Sequence, residues 1–155
     1  MALLPVPALP PGREGTDGSL GTDAQGLAAG SRARTVLVAE DQHAVRRLVR
    51  GALERAGFRV LEAEDGQAAV ERHLANQGGI DLALFDLSMP RRNGLEALAA
   101  IRETEPGLPA LLMSGHPDRG GDLDWPPDVP LLSKPFGPRV LVARVREMLG
   151  EGKGG

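Results

Sequence analysis

The chain has 155 residues, 41% of them hydrophobic and 25% charged, with a formal net charge of -3 and no cysteine. That length suits one domain with a core of its own, and the lack of cysteine excludes disulfides, thiolate metal sites and cysteine nucleophiles. The acidic balance offers no basic face for non-specific nucleic-acid binding, which depends on displacing phosphate counterions.

Residues 1–33 are expected to be a disordered tail or linker: the first 30 hold four prolines and six glycines with no sustained apolar period. Within them, Met1 to Leu9 is interrupted by Pro5 and Pro7 and lacks a basic flank, so it reads as neither a secretory signal nor an anchor. No apolar run approaches the ~20 residues of a membrane-spanning helix, and the expected compartment is the cytoplasm. From Thr35 the composition changes, and the domain is expected over residues 34–150, with a second tail at 151–155. Thr35 to Ala39 reads as a short buried strand that ends in Glu40 and Asp41. Val45, Leu48, Val49, Ala52, Leu53 and Ala56 then recur at three- and four-residue intervals, one face of a helix closed by Gly57.

Phe58 to Leu61 reads as a second strand, and Gln67 to Ala75 as a helix with Ala69, Val70, His73 and Leu74 inward. Ile80 to Phe85 is a third strand, and Asn93 to Thr104 a helix stopped before Pro106. Pro109 to Met113 and Val129 to Leu132 supply the last strands, and Val140 to Leu149 the last helix. Alternation at this spacing predicts right-handed βαβ units and an open, doubly wound parallel sheet of the α/β class.

In such sheets ligands sit beyond the carboxyl ends of the strands, near the point where strand order reverses. Glu40 and Asp41 end the first strand, Asp86 the third and Ser114 the fourth, and Lys134 follows the fifth. Three carboxylates so close repel one another unless a cation is bound, and an all-oxygen set favours a hard ion such as Mg²⁺. A phosphoryl group arriving on Asp86 would need that metal, a positive charge and a hydroxyl on its oxygens. Lys134 can provide the charge and Ser114 the hydroxyl.

Four motifs at these places, Val36-Leu37-Val38-Ala39-Glu40-Asp41, Asp86-Leu87-Ser88-Met89-Pro90 with Asn93-Gly94, Leu112-Met113-Ser114-Gly115, and Ser133-Lys134-Pro135-Phe136, together resemble the receiver domain of bacterial response regulators and hybrid sensor histidine kinases. The resemblance is greatest to receivers at the C-terminus of hybrid kinases. It implies the flavodoxin-like (βα)5 fold with strand order 2-1-3-4-5, and a phosphorelay role in which Asp86 accepts a phosphoryl group from a phosphohistidine. It also implies Mg²⁺ held by Asp41, Asp86 and the Ser88 backbone carbonyl with Glu40 assisting through water, Ser114 as switch hydroxyl, and Lys134 preceding a cis-proline position at Pro135.

The implied partner is a histidine kinase phosphodonor domain or a histidine phosphotransfer protein, docking on the first helix, where Arg46, Arg47 and Arg50 otherwise read as a solvated face. No nucleic acid and no membrane is expected, and no enzymatic domain beyond assistance to the domain's own phosphorylation and dephosphorylation. The chain stops soon after its last helix, so no output domain is expected. It reads equally as a single-domain regulator or as the receiver of a hybrid kinase.

Two departures stand out. Leu131 occupies the place of the family's switching aromatic ring, and residues 116–127 carry helix breakers where the family has its fourth helix, so that helix is expected to be short or irregular and the protein a monomer. His73 reads as a packed core residue, His43 as an exposed first-turn residue, and His116 as a neighbour of the phosphate. The alternatives are a pseudo-receiver that binds without being phosphorylated, and a haloacid-dehalogenase-like phosphatase, whose second aspartate is replaced here by Ser88.

Overall fold

The computed structural model describes residues 33–115 and 125–150. Residues 1–32 and 151–155, on which the expected tails fall, and 116–124, which include His116 and most of the expected irregular stretch, lie outside the described residues. The elements alternate as β1 Thr35–Ala39, α1 His43–Arg55, β2 Arg59–Ala63, α2 Gly66–Ala75, β3 Leu82–Asp86, α3 Gly94–Arg102, β4 Ala110–Ser114, β5 Leu131–Ser133 and α4 Pro138–Met148. All neighbouring strands are parallel, in the order β2-β1-β3-β4-β5, the expected 2-1-3-4-5. After β2 the chain crosses back over β1 to form β3, so the switch point lies between the carboxyl ends of β1 and β3.

The central strands β1, β3 and β4 are buried on both faces, and their period of two divides the core into two layers. Leu37, Ala39, Ala83, Phe85, Ala110 and Leu112 pack with Ala69, Leu98 and Ile101 of α2 and α3. Val36, Val38, Leu82, Leu84, Leu111 and Met113 pack with Val49, Leu53, Leu141 and Val145 of α1 and α4. Each large side chain fully buried in this way stabilises the fold by roughly 1.5–3 kcal/mol before entropy is counted.

The helix ends follow local chemistry. Asn93 caps α3 in a reciprocal capping box with Glu96. Pro138 sits in the first turn of α4, where its missing N–H costs no helical hydrogen bond. Gly57, just past α1, has φ +98°, a left-handed position that glycine takes without a Cβ clash.

Two leucines expected to face the core do not. Leu48 is 59% exposed and Leu74 52% exposed. At about 100° per residue, each lies near the edge of its helix's buried arc, roughly 90° from the centre. His73 is packed as expected, 1% exposed, with Nε2 2.9 Å from Glu105 Oε1. Several boundaries also shift. β5 begins its pairing at Leu131, after Pro130, which has no N–H to give. Residues 125–130, just before it, form a turn rather than a helix, with Trp125 Nε1 donating to the Val129 carbonyl at 2.6 Å.

Candidate functional site

The site stands at the carboxyl edge of β1, β3 and β4, where each residue's place follows from where its strand ends. Glu40 directly follows β1, and its N–H donates to Ala63 O at the end of β2 (3.1 Å). It is fully buried. Asp86 is the last residue of β3 and 5% exposed, and Ser114, the last of β4, is 4% exposed. Lys134 follows β5, and its N–H donates to Ser114 O at 2.8 Å, which brings the lysine beside the β4 end. Its peptide bond to Pro135 is cis.

Carboxylate oxygens of Glu40, Asp41 and Asp86 lie within 4.8 Å of one another. The Lys134 ammonium donates to Glu40 Oε1 at 2.8 Å and lies 3.2 Å from Asp86 Oδ1. Glu40 Oε2 accepts from the Gln42 N–H at 3.1 Å, so both oxygens of this buried acid already have partners. Asp41 is exposed. The helix cap that an aspartate here could provide is not its job, because the N-cap of α1 is Gln42, with no side-chain cap bond. Ser88 is exposed two residues beyond Asp86 on the loop that leads to α3.

Three carboxylates against one ammonium leave a negative site, and its donors are all oxygen. Burial first, and Glu40 second, push Asp86 up to about 6 from an ordinary 3.8, while Lys134 pulls the other way. Burial alone would lower Lys134, but Glu40 and Asp86 outweigh it and hold the ammonium above its usual range. A dication would relieve the repulsion that raises Asp86, and the exposed Asp41 and the Asp86 oxygen not facing Lys134 are the groups with capacity for it.

The motif glycine after Asn93 has a steric cause. A Cβ on Gly94 would stand 2.5 Å from Asp86 O, so the loop closes against the acceptor's own backbone only because that atom is missing.

The sequence reading missed some connections. Arg46 is not simply solvated: its Nη1 donates to Glu40 O at 2.7 Å and its Nε to Glu62 at 3.1 Å, tying α1 to the ends of β1 and β2. Asp65 and Arg91 pair beside the loop after Asp86. A polar residue directly before α2 was a cap signal for Asp65, but nothing local pointed to its second partner 26 residues away.

The fold and this edge define a flavodoxin-like α/β domain with an acid, lysine and hydroxyl site at its switch point. Residues 36–146 match the family model of the response regulator receiver domain, and the chain belongs to that family. It is 35% identical over 119 residues to the transcriptional regulatory protein CpxR of Escherichia coli (strain K12), covering 74% of this chain and 48% of CpxR, so it spans about half the length of that relative. It is 35% identical over 118 residues to the response regulator receiver protein CpdR of Brucella abortus (strain 2308), covering 75% of this chain and 97% of CpdR. Among solved structures, the receiver domain from the hybrid histidine kinase CckA superposes with a TM-score of 0.66 at 32% identity, over 74% of this chain and 98% of that one, in line with the resemblance to hybrid-kinase receivers. No helix among the described residues is long and apolar enough to cross a membrane.

Proposed function

We propose that this receiver accepts a phosphoryl group from a phosphohistidine onto Asp86. The observation that carries the reading is the Lys134 ammonium set between Glu40 and Asp86, with Asp41 completing the acidic cluster. An Asp86 oxygen forms a bond to phosphorus as the P–N bond of the donor breaks, and the imidazole leaves with the electron pair. Asp41, Asp86 and the Ser88 backbone carbonyl would hold Mg²⁺, with Glu40 assisting through water, and the ion would supply charge neutralisation for the transferring group. Lys134 offers its ammonium to the same oxygens and Ser114 its hydroxyl, both held in place by strand ends. The nucleophile is the carboxylate; burial and Glu40 disfavour that form, and Lys134 favours it, as a bound dication would. The domain assists this transfer and its reversal by water without being a separate enzyme.

The donor is a histidine kinase phosphodonor domain or a histidine phosphotransfer protein. An apolar groove bounded by Val45, Leu48, Phe136, Pro138 and Leu141 runs between α1 and the start of α4, with Lys134 in its wall. A helix bearing the phosphohistidine and seated there would bring its imidazole toward the Asp86 edge. Similarity to the receiver protein CpdR and to the hybrid-kinase receiver of CckA supports the single-domain and the hybrid placement alike, with the same chemistry in either; the full reading frame distinguishes them. The protein acts as a monomer, in the cytoplasm, the compartment in which such a donor acts. Incubation with acetyl phosphate and Mg²⁺ followed by peptide mass spectrometry tests the reading. Labelling at Asp86, absent from Asp86→Asn, is expected; an unlabelled Asp86 would leave a binding module only.

A further inference from the structure

The loop from Asp86 to Gly94 carries the acceptor, the Ser88 carbonyl and the start of α3, and it is unusual at its outer end. Arg91 has φ +67°, the one non-glycine residue with positive φ among the described residues. The Arg92 N–H donates to Pro90 O at 2.7 Å. A bond from residue i+2 back to residue i across a positive φ marks the rarer, strained kind of γ-turn, and such a conformation persists only where its surroundings enforce it.

Those surroundings are the start of α2. Arg91 Nε and Nη2 both donate to Asp65 Oδ2, at 3.0 and 2.6 Å. Asp65 is 2% exposed, and its other oxygen, Oδ1, caps α2 by accepting from the Ala68 N–H at 2.7 Å. The two oxygens therefore do separate jobs, one for the helix and one for the loop. Helix capping accounts only for the first. Next to it, a Cβ on Gly66 would fall 2.2 Å from Arg92 O, so α2 begins in direct contact with the same turn. An exposed ion pair contributes little, but here the acid is buried, and losing the guanidinium would leave its charge without the partner that Oδ2 now has.

We propose that Asp65 and Arg91 form a clamp that positions the Asp86–Gly94 loop, and with it the Ser88 carbonyl, for the metal. The clamp rests on the reading of Asp86, Asp41 and Ser88 as the Mg²⁺ site, and both residues are positioning residues that touch neither metal nor phosphoryl group. The pair joins the β2–α2 junction to the β3–α3 loop, so it sets the loop's shape before any metal arrives.

The test uses the full chain with three variants. Asp65→Asn keeps the helix cap, since asparagine caps as well as aspartate, but loses the acceptor charge facing Arg91. Arg91→Gly keeps the positive φ at no steric cost and removes the guanidinium. The third is the double variant. Mg²⁺ affinity is measured by calorimetry, and amide hydrogen exchange across residues 87–94 is measured in metal-free protein. Both single variants, folded by circular dichroism, are expected to bind Mg²⁺ about tenfold more weakly, as for other losses of support around a metal site, and to exchange faster in this loop. The double variant should be no weaker than the worse single one, because the two residues act through one contact. Wild-type Mg²⁺ affinity in both single variants would overturn the clamp and leave the site reading intact. A wild-type protein that binds no Mg²⁺, or binds it equally well as Asp86→Asn, would overturn both.

Discussion

In the layer of α2 and α3, Ala69, Leu98 and Ile101 are buried against the sheet, and polar ties close the rim: His73 Nε2 to Glu105 at 2.9 Å and Arg102 Nη2 to Asp128 at 2.8 Å. In the layer of α1 and α4, Val49, Leu53, Leu141 and Val145 are equally buried, yet Leu48 and Val140 remain 59% and 53% exposed, and Leu48 borders an apolar groove that reaches Lys134. Leu74 on α2 is 52% exposed too, so neither layer is sealed; the layer of α1 and α4 is the one whose groove opens beside the site. The difference separates stability from recognition: the buried residues of both layers hold the fold, whereas the groove of the second presents the surface that the proposed donor would use.

The largest expected effect lies at a buried position in the layer of α2 and α3. Ile101→Ala should lower the unfolding free energy by ~2–5 kcal/mol, through lost transfer energy and the cavity left behind, measured by urea denaturation. Leu48→Ala, a comparable truncation at the groove, should change it by less than ~0.5 kcal/mol. Equal losses at the two sites would erase the contrast.

The next effect concerns the site edge, and its sign is fixed by Asp86. Its folded pKa, about 6, lies above the ordinary 3.8, so the stability linked to its proton is fully present below pH 4 and is lost as pH rises through 6. Asp86→Asn should therefore stabilise the metal-free protein at pH 7, by at most ~3 kcal/mol at 1.36 kcal/mol per unit, with the gain fading toward pH 4. Thermal unfolding against pH measures this; a gain that persists unchanged at pH 4 would point to packing instead of charge.

A smaller effect sharpens the groove's role. Leu48→Arg should lower the ratio of labelling by a phosphohistidine protein donor to labelling by acetyl phosphate about tenfold, the ~1.4 kcal/mol of one apolar anchor. An unchanged ratio would move the docking surface elsewhere. Asn93→Ala, which removes the cap of α3, should cost ~1 kcal/mol in the same denaturation assay.

The parallel sheet was legible because buried strands and helices leave different periods in the sequence and strand ends in a doubly wound fold meet at one edge, whereas the strand order came from the family resemblance. Glu40, Asp41, Asp86, Ser114 and Lys134 could be placed at that edge from the strand ends alone. The family resemblance added Ser88 and the cis-proline position, and Lys134–Pro135 is indeed cis. What stayed hidden depends on distance and direction. Lys134 meets Glu40 across 94 positions, and no local pattern says that the lysine bonds the buried glutamate while also facing Asp86. Leu48 and Leu74 fit the helical spacing but sit at its margin, where the period alone cannot separate buried from exposed. The positive φ of Arg91 is set by Asp65, so an arginine after Pro90 gives no warning of it.

Beryllofluoride with Mg²⁺, followed by fluorine NMR, tests the central claim most directly, since it asks whether Asp86, Lys134 and the acidic cluster together hold a phosphoryl-like group. A bound resonance in the wild-type protein that needs Mg²⁺ and is lost in Asp86→Asn is the predicted result. No bound resonance at saturating Mg²⁺, or one that survives Asp86→Asn, would contradict the account.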